Sequence, residues 1–286
     1  MTGLQWYTMK PQMALIVGGG ILLLVGLGVL WNWSETATGL DAAVERFEPN
    51  LPIPPLPPRV ADGAQYDRCL AQVPDDPRRA ATDAQAWRAA GGGASSVHCL
   101  AMAELALGRG EQAARLLLTL AGEPATSAPL RAAMFSQASQ AWQLAGRADD
   151  ALEAAKAAVV QVSDNPDLWI DLANLAIARK DYAGAADDLS RALALDRSRA
   201  DILVLRAGAN RLRGRLDAAL DDVDRAITAD PDNAEALLER GVLRQRRDDP
   251  QGARRDWMRV MVLAPESQAA DLATQDLALL DAGPVR

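Results

Sequence analysis

One interval governs this chain. Ala151, Ala185, Ala219 and Ala253 stand 34 residues apart, and so do Ala158, Ala192, Ala226 and Val260. Ala173, Ala207 and Gly241 keep the same step, as do Pro231 and Pro265. A fixed period of this length marks a stack of like supersecondary units, none able to bury its apolar face alone. The segments 132–165, 166–199, 200–233 and 234–267 follow one another in register without a gap. Each reads as two helices of about 14 residues. The turns fall at Gly146-Arg147, Lys180-Asp181, Gly214-Arg215 and Asp248-Asp249. Small residues recur where the two helices of a unit must approach, and large ones where units stack. Composition agrees: 49% of residues are hydrophobic but only 4% are aromatic, which suits close-packed helices better than a β-sandwich.

The residues within the period carry a resemblance. Segment 166–199 holds Trp169, Leu172, Ala173 and Ala176, then Ala185, Leu189 and Ala192. The next holds Leu203, Ala207, Ala219, Val223, Ala226 and Pro231; the last holds Leu237, Gly241, Ala253, Trp257, Val260 and Pro265. In segment 132–165, Phe135 and Trp142 take the large positions. These units resemble tetratricopeptide repeats, whose pattern is W-x2-L-G-x2-Y, then A-x3-F, then P. Arg206 and Arg240 stand where the pattern has Leu, and Ser163 and Arg197 where it has the last Pro. The resemblance implies an all-α solenoid, a right-handed superhelix of helix pairs. About six pairs are expected, the first two, over 64–131, being degenerate. Tyr66–Val73 and Pro77–Ala90 read as one pair, Ser95–Gly108 and Glu111–Ala121 as another. Asp76 caps, Pro77 opens and Gly91-Gly92-Gly93 stops the second of these helices. Residues 268–286 hold a capping helix, with Leu272, Leu277 and Leu280 facing in and Asp271, Asp276 and Asp281 facing out.

Residues 1–34 read as a membrane anchor. No charge falls between Lys10 and Glu35, and the run from Met13 to Leu30 is apolar. That suffices to span a hydrocarbon core of ~30 Å. Trp6 and Tyr7 precede the run and Trp31 and Trp33 close it, as aromatic belts do. A cleaved signal peptide is the alternative, but the run is long for one and Ser34–Thr38 offers no clean cleavage site. Lys10 and the amino terminus before the run, with Glu35, Asp41, Glu45 and Glu48 after it, favour an N-in, C-out orientation. This places the body in the periplasm or another extracytoplasmic space. Residues 35–63 then form a juxtamembrane segment, with Leu40, Val44 and Phe47 at helical spacing. A linker follows from Pro49 to Pro58 that is too proline-rich for helix or central strand.

Catalytic chemistry finds few residues to use. The net charge of −8 argues against a nucleic-acid module. His98 is the only histidine, so neither a Ser-His-Asp nor a Cys-His constellation is available. Read alone, His98 sits partly exposed near a helix start. Cys69, Cys99 and His98 are too few for a zinc site. No catalytic group, metal or cofactor is expected, and the chain is not read as an enzyme. Asp187-Asp188 and Asp221-Asp222-x-Asp224, interleaved with Arg191 and Arg225, read as a solvated outer face. Cys69 and Cys99 lie 30 residues apart, close to one unit, which would set them on adjacent first helices within bridging distance. A disulfide is the expectation, and two unrelated buried thiols the alternative.

What remains is a surface for a partner. By the pattern of the resembled family, positions two, five, nine and twelve of each first helix face the inner groove. The groove expected here is Ile170, Asn174 and Ile177, then Val204 and Arg211, then Leu238, Val242 and Gln245. Asn174 and Arg211 would donate hydrogen bonds to a bound backbone. Position five holds Ser136, Ile170, Val204 and Leu238 rather than Lys, which disfavours a clamp for a terminal carboxylate. An apolar or amphipathic protein or peptide segment fits better. The resemblance therefore implies a membrane-anchored scaffold or adaptor serving secretion, maturation or complex assembly. A permanent accessory subunit of a membrane complex is the alternative.

Overall fold

The computed structural model describes residues 59–283. The hydrophobic run, the amphipathic stretch and the linker as far as Pro58 lie outside the described residues. Among the described residues there are thirteen α-helices and no strand, and no helix is long and apolar enough to cross a membrane. The helices follow one another as hairpins: α1 (Ala64–Gln72) and α2 (Pro77–Ala89); α3 (Gly93–Ala106) and α4 (Gly110–Ala121); α5 (Ala128–Leu144) and α6 (Ala148–Gln161). Then come α7 (Pro166–Ala178) and α8 (Tyr182–Leu195); α9 (Ala200–Leu212) and α10 (Leu216–Ala229); α11 (Ala234–Arg246) and α12 (Pro250–Leu263). α13 (Gln268–Ala282) ends the array. First helices also pack on one another across units, α1 on α3, α9 on α11 and α11 on α13, so the architecture is an all-α solenoid. α5 begins ahead of the boundary drawn at 132, because Pro129 sits in its first turn.

The turns show why the period holds. Gly146, Lys180, Gly214 and Asp248 close the first helices with φ of 70°, 61°, 74° and 60°. After each, the next amide reaches back five residues: Arg147 to Trp142 at 2.9 Å, Asp181 to Ala176 at 2.8 Å, Arg215 to Asn210 at 2.8 Å and Asp249 to Arg244 at 2.9 Å. This satisfies carbonyls that the helix end leaves open. Lys180 and Asp248 do without glycine there at roughly 1 kcal/mol each. At the helix starts, Asn165, Asn233 and Ser267 accept hydrogen bonds from the first-turn amides of α7, α11 and α13.

Packing follows from the small positions. Ala173, Ala207, Ala185, Ala219, Ala253, Ala192 and Ala226 are all fully buried. At Gly241 a Cβ would stand 2.2 Å from the indole nitrogen of Trp257, so that tryptophan fits only against glycine. The Trp257 N–H donates to the Leu238 carbonyl at 3.2 Å. A central core runs from Val97 to Ala236, with smaller clusters around Tyr66 and Cys99 at one end and Trp257 at the other.

The arginines that replace the pattern's leucine are not passive. Arg206 donates to Asp222 through Nε at 2.9 Å and Nη2 at 2.6 Å. Arg240 donates to Asp256 in the same way, at 2.9 and 2.8 Å. Both pairs are offset by one unit, and each arginine also reaches back to the preceding second helix. Arg206 meets Ser190 at 3.1 Å, and Arg240 meets Asp224 at 3.3 Å. Asp222 was expected on the solvated face; it is 2% exposed. An arginine pointing inward at a core position needs a carboxylate with it, and Asp222 supplies that mate. Its neighbours Asp221 and Asp224 do face solvent.

Candidate partner-binding site

The expected groove residues lie on the first helices α7, α9 and α11, at matching positions 34 residues apart. Ile170, Asn174, Ile177, Val204, Leu238, Val242 and Gln245 are each partly buried. Ile170, Ile177 and Val204 lean on the central core, and Leu238 and Val242 on the cluster around Trp257. The aliphatic line thus shares its surface between core and solvent. Between Asn174 and Val242 in the register stands Gly208. A Cβ built there meets nothing within 4 Å, so open space lies over this mid-helix glycine.

Buried polar groups from the chain itself pair at the two ends of the array. At the C-terminal end, Arg211 is 8% exposed and its Nε donates to Glu239 at 2.6 Å. The expected hydrogen bond from Arg211 to a partner backbone is therefore corrected at that nitrogen: Glu239, on the next first helix, takes it. Its Nη1 and the Gln245 Oε1 are buried without partners. Asp276 of α13 was expected to face outward but is 4% exposed. α13 packs as a further first helix, so this residue falls on the inner line rather than the outer one. Asp271 and Asp281 do face solvent.

Asp276 carries a pH consequence. Burial pushes its carboxyl up to about 6, against the attraction of Arg211 and with the repulsion of Glu239. The folded chain then holds a proton that the unfolded chain releases near its ordinary value of about 3.9. The stabilisation is complete below about pH 4 and is lost as pH rises through about 6. Asp276→Asn is expected to raise the thermal midpoint at pH 7.5 by of the order of 5 °C, with no gain at pH 4. Paired melting curves check this, and equal shifts at both pH values would refute it.

At the N-terminal end, the Tyr66 hydroxyl lies 2.7 Å from His98 Nδ1, and Gln137 Oε1 lies 3.0 Å from His98 Nε2. Gln137 accepts, so Nε2 carries the proton and Nδ1 accepts from the tyrosine. His98 is fully buried, which corrects the expectation of a partly exposed side chain, and burial pushes its pKa down. Sequence gave no sign of this network, since its members lie 32 and 39 residues apart. Beside it, Cys69 of α1 and Cys99 of α3 form a disulfide, with Cα atoms 6.2 Å apart.

Between these ends lies a carboxylate that no sequence argument singled out. Ser136 Oγ of α5 donates to Asp171 Oδ2 of α7 at 2.8 Å. Burial pushes the Asp171 carboxyl up, Ser136 opposes that, and the charge of Asp167 adds to it. Among the described residues no group of three or more His, Cys, Asp or Glu side chains is placed to hold a metal ion.

The repeats have known counterparts. A tetratricopeptide repeat family model matches residues 170–234 and 214–271, within the stacked hairpins that begin at α7. Among solved structures, the chain is similar to a MamA fragment from Desulfovibrio magneticus RS-1, at 18% identity and a TM-score of 0.53, covering 61% of this chain and 97% of that one. YrrB, described as a TPR protein with an unusual peptide-binding site, gives 18% identity and 0.51, covering 68% and 96%. The Cut9–Hcn1 hetero-tetramer of APC/C gives 16% and 0.52, covering 74% and 42%. At these identities the likeness is one of fold. No curated protein matches the chain.

Proposed function

We propose that this chain is a membrane-tethered adaptor that holds a polypeptide segment along the inner faces of its first helices. One observation carries the reading. Ile170, Val204 and Leu238 recur every 34 residues as a partly buried aliphatic line, with open space over Gly208 beside it. Solenoids use such extended surfaces to bind extended partners, and the fold likeness to YrrB, a protein with a peptide-binding site, supports the class of ligand. The tether is the apolar run from Met13 to Leu30, with the solenoid on the extracytoplasmic side. The Cys69–Cys99 disulfide supports that side, because such bonds persist in oxidising compartments. Secretion, maturation or envelope assembly are the settings such a tethered adaptor serves.

Gly208→Leu tests the reading. Open space surrounds that position, and glycine costs a helix interior about 1 kcal/mol relative to better formers. The variant is expected to melt no lower than wild type, yet to lose the partner that wild type captures by crosslinking and pull-down from membranes. Undiminished capture of the same partner would remove the groove from the reading. A second reading, a permanent subunit docked through its outer surface, is favoured by Met258, Met261 and Val262 on α12, which are 56%, 38% and 79% exposed. Stoichiometric co-purification in mild detergent, unaffected by Gly208→Leu, would select it.

A further inference from the structure

Most of the buried and half-buried carboxylates of this solenoid come with cations. Asp222 has Arg206, Asp256 has Arg240 and Arg244, Glu239 has Arg211, and Glu104 has Arg109. Asp188, at the unit where Leu172 stands in place of the arginine, lies within the fields of Arg191 and Lys156. Even Asp276 faces Arg211. Asp171 differs from all of these. Its only close partner is the Ser136 hydroxyl, no basic side chain of the described residues pairs with it, and the charge acting on it is that of another carboxylate, Asp167. It sits on α7, one position after Ile170 of the aliphatic line.

Its surroundings are acidic as well. Asp167, Asp201 and Glu235 follow one another along the rim at position two. Arg199 is shared between the first two of these carboxylates, at 2.9 and 2.6 Å, and Glu235 makes no ion pair with a described residue. We propose that the segment held by the first helices is cationic as well as aliphatic, with a Lys or Arg side chain meeting Asp171 and apolar side chains on Ile170, Val204 and Leu238. The proposal rests on the adaptor reading and specifies its ligand. A cation at Asp171 supplies the mate that the chain omits, in a partly desolvated site where such a pair is worth more than at an open surface. The rim carboxylates steer a cationic segment inward and repel an acidic one. Three steps of ~10 Å separate α5 from α11, and an extended chain of about nine residues covers that span.

Fluorescence anisotropy on the full chain in mild detergent tests this with three labelled ten-residue probes. Leucine alternates with lysine in one, with glutamine in the second and with glutamate in the third. The lysine probe is expected to bind at least tenfold tighter than the glutamine probe, and the glutamate probe weakest. Asp171→Asn keeps the hydrogen bond to Ser136 and is expected to melt no lower than wild type. In that variant the lysine probe should fall to the affinity of the glutamine probe, while Gly208→Leu should weaken all three. Equal affinities for the lysine and glutamine probes in wild type would overturn the charge assignment and leave the adaptor reading standing. A lysine preference unchanged by Asp171→Asn would also overturn it, since the cation would then be met elsewhere. If no probe binds, this proposal falls, and the pull-down with Gly208→Leu decides separately whether the adaptor reading falls with it.

Discussion

Asp222→Ala is expected to destabilise the array by about 3–5 kcal/mol, a large share of the 5–15 kcal/mol that holds a domain folded. Asp222 is 2% exposed and accepts two hydrogen bonds from Arg206, whose side chain is itself only 20% exposed. Removing the carboxylate leaves a guanidinium at a core position with only Ser190 within reach. The control is the double change Arg206→Leu/Asp222→Ala. It restores the leucine that Leu172 provides in the preceding unit and takes the charge away with its mate, so most of the loss should be recovered. Urea denaturation of the three chains measures this. A double variant as unstable as Asp222→Ala would mean that the pair contributes shape rather than charge balance. Because repeats communicate through nearest neighbours, the damage should centre on α9 and α10.

This pair also marks where sequence reasoning stopped. The 34-residue step placed the hairpins, the turns at Gly146, Lys180, Gly214 and Asp248, and the buried alanines, because each depends on local spacing. Burial of Asp222 depends on something non-local: which acidic side chain, sixteen residues away, meets an arginine that occupies a leucine position. Once Arg206 and Arg240 were noticed at that position, Asp222 and Asp256 at the same 34-residue offset were a readable signal. Asp276 shows the same limit. Leucine spacing on α13 fits an outer cap, yet the helix packs as one more first helix, so that its aspartate falls on the inner line beside Arg211 and Glu239.

The candidate site was legible as a line and not as a chemistry. Ile170, Val204 and Leu238 could be drawn from the period together with the pattern of the resembled family, and the structure finds them half-buried, leaning on the core. A carboxylate at Val204 would therefore disturb packing as well as a partner, which is why Gly208→Leu is the cleaner probe. Arg211 was expected as a free donor because its mate, Glu239, lies 28 residues on, at a different position of the next unit. Asp171 went unremarked because nothing in its own segment distinguishes it. Only the absence of an arginine across the helix interface does that.

Replacing both cysteines, Cys69→Ser/Cys99→Ser, is expected to release the N-terminal end of the solenoid while leaving the rest folded. The bond closes a loop of 30 residues, worth roughly 3–4 kcal/mol in the entropy model. α1 has little else to hold it: Tyr66 and Cys69 belong to a small cluster apart from the central core, one hydrogen bond ties Tyr66 to His98, and an exposed one of 3.4 Å ties Gln72 to Asp83 of α2. Loss of α1 uncovers His98, which burial now holds below its usual pKa. His98 is the only histidine in the chain, so its ring resonances report the event without ambiguity. They should titrate near the ordinary histidine range of about 6.5 in the serine variant, and well below it in the oxidised protein. Amide protection should fall in α1 and α2 and stay unchanged from α7 to α12. Identical titration curves would show that α1 stays docked without the bond. The same cysteines test the compartment: thiol trapping in protein taken directly from membranes should find one oxidised species, and two freely alkylated thiols would refute the extracytoplasmic placement.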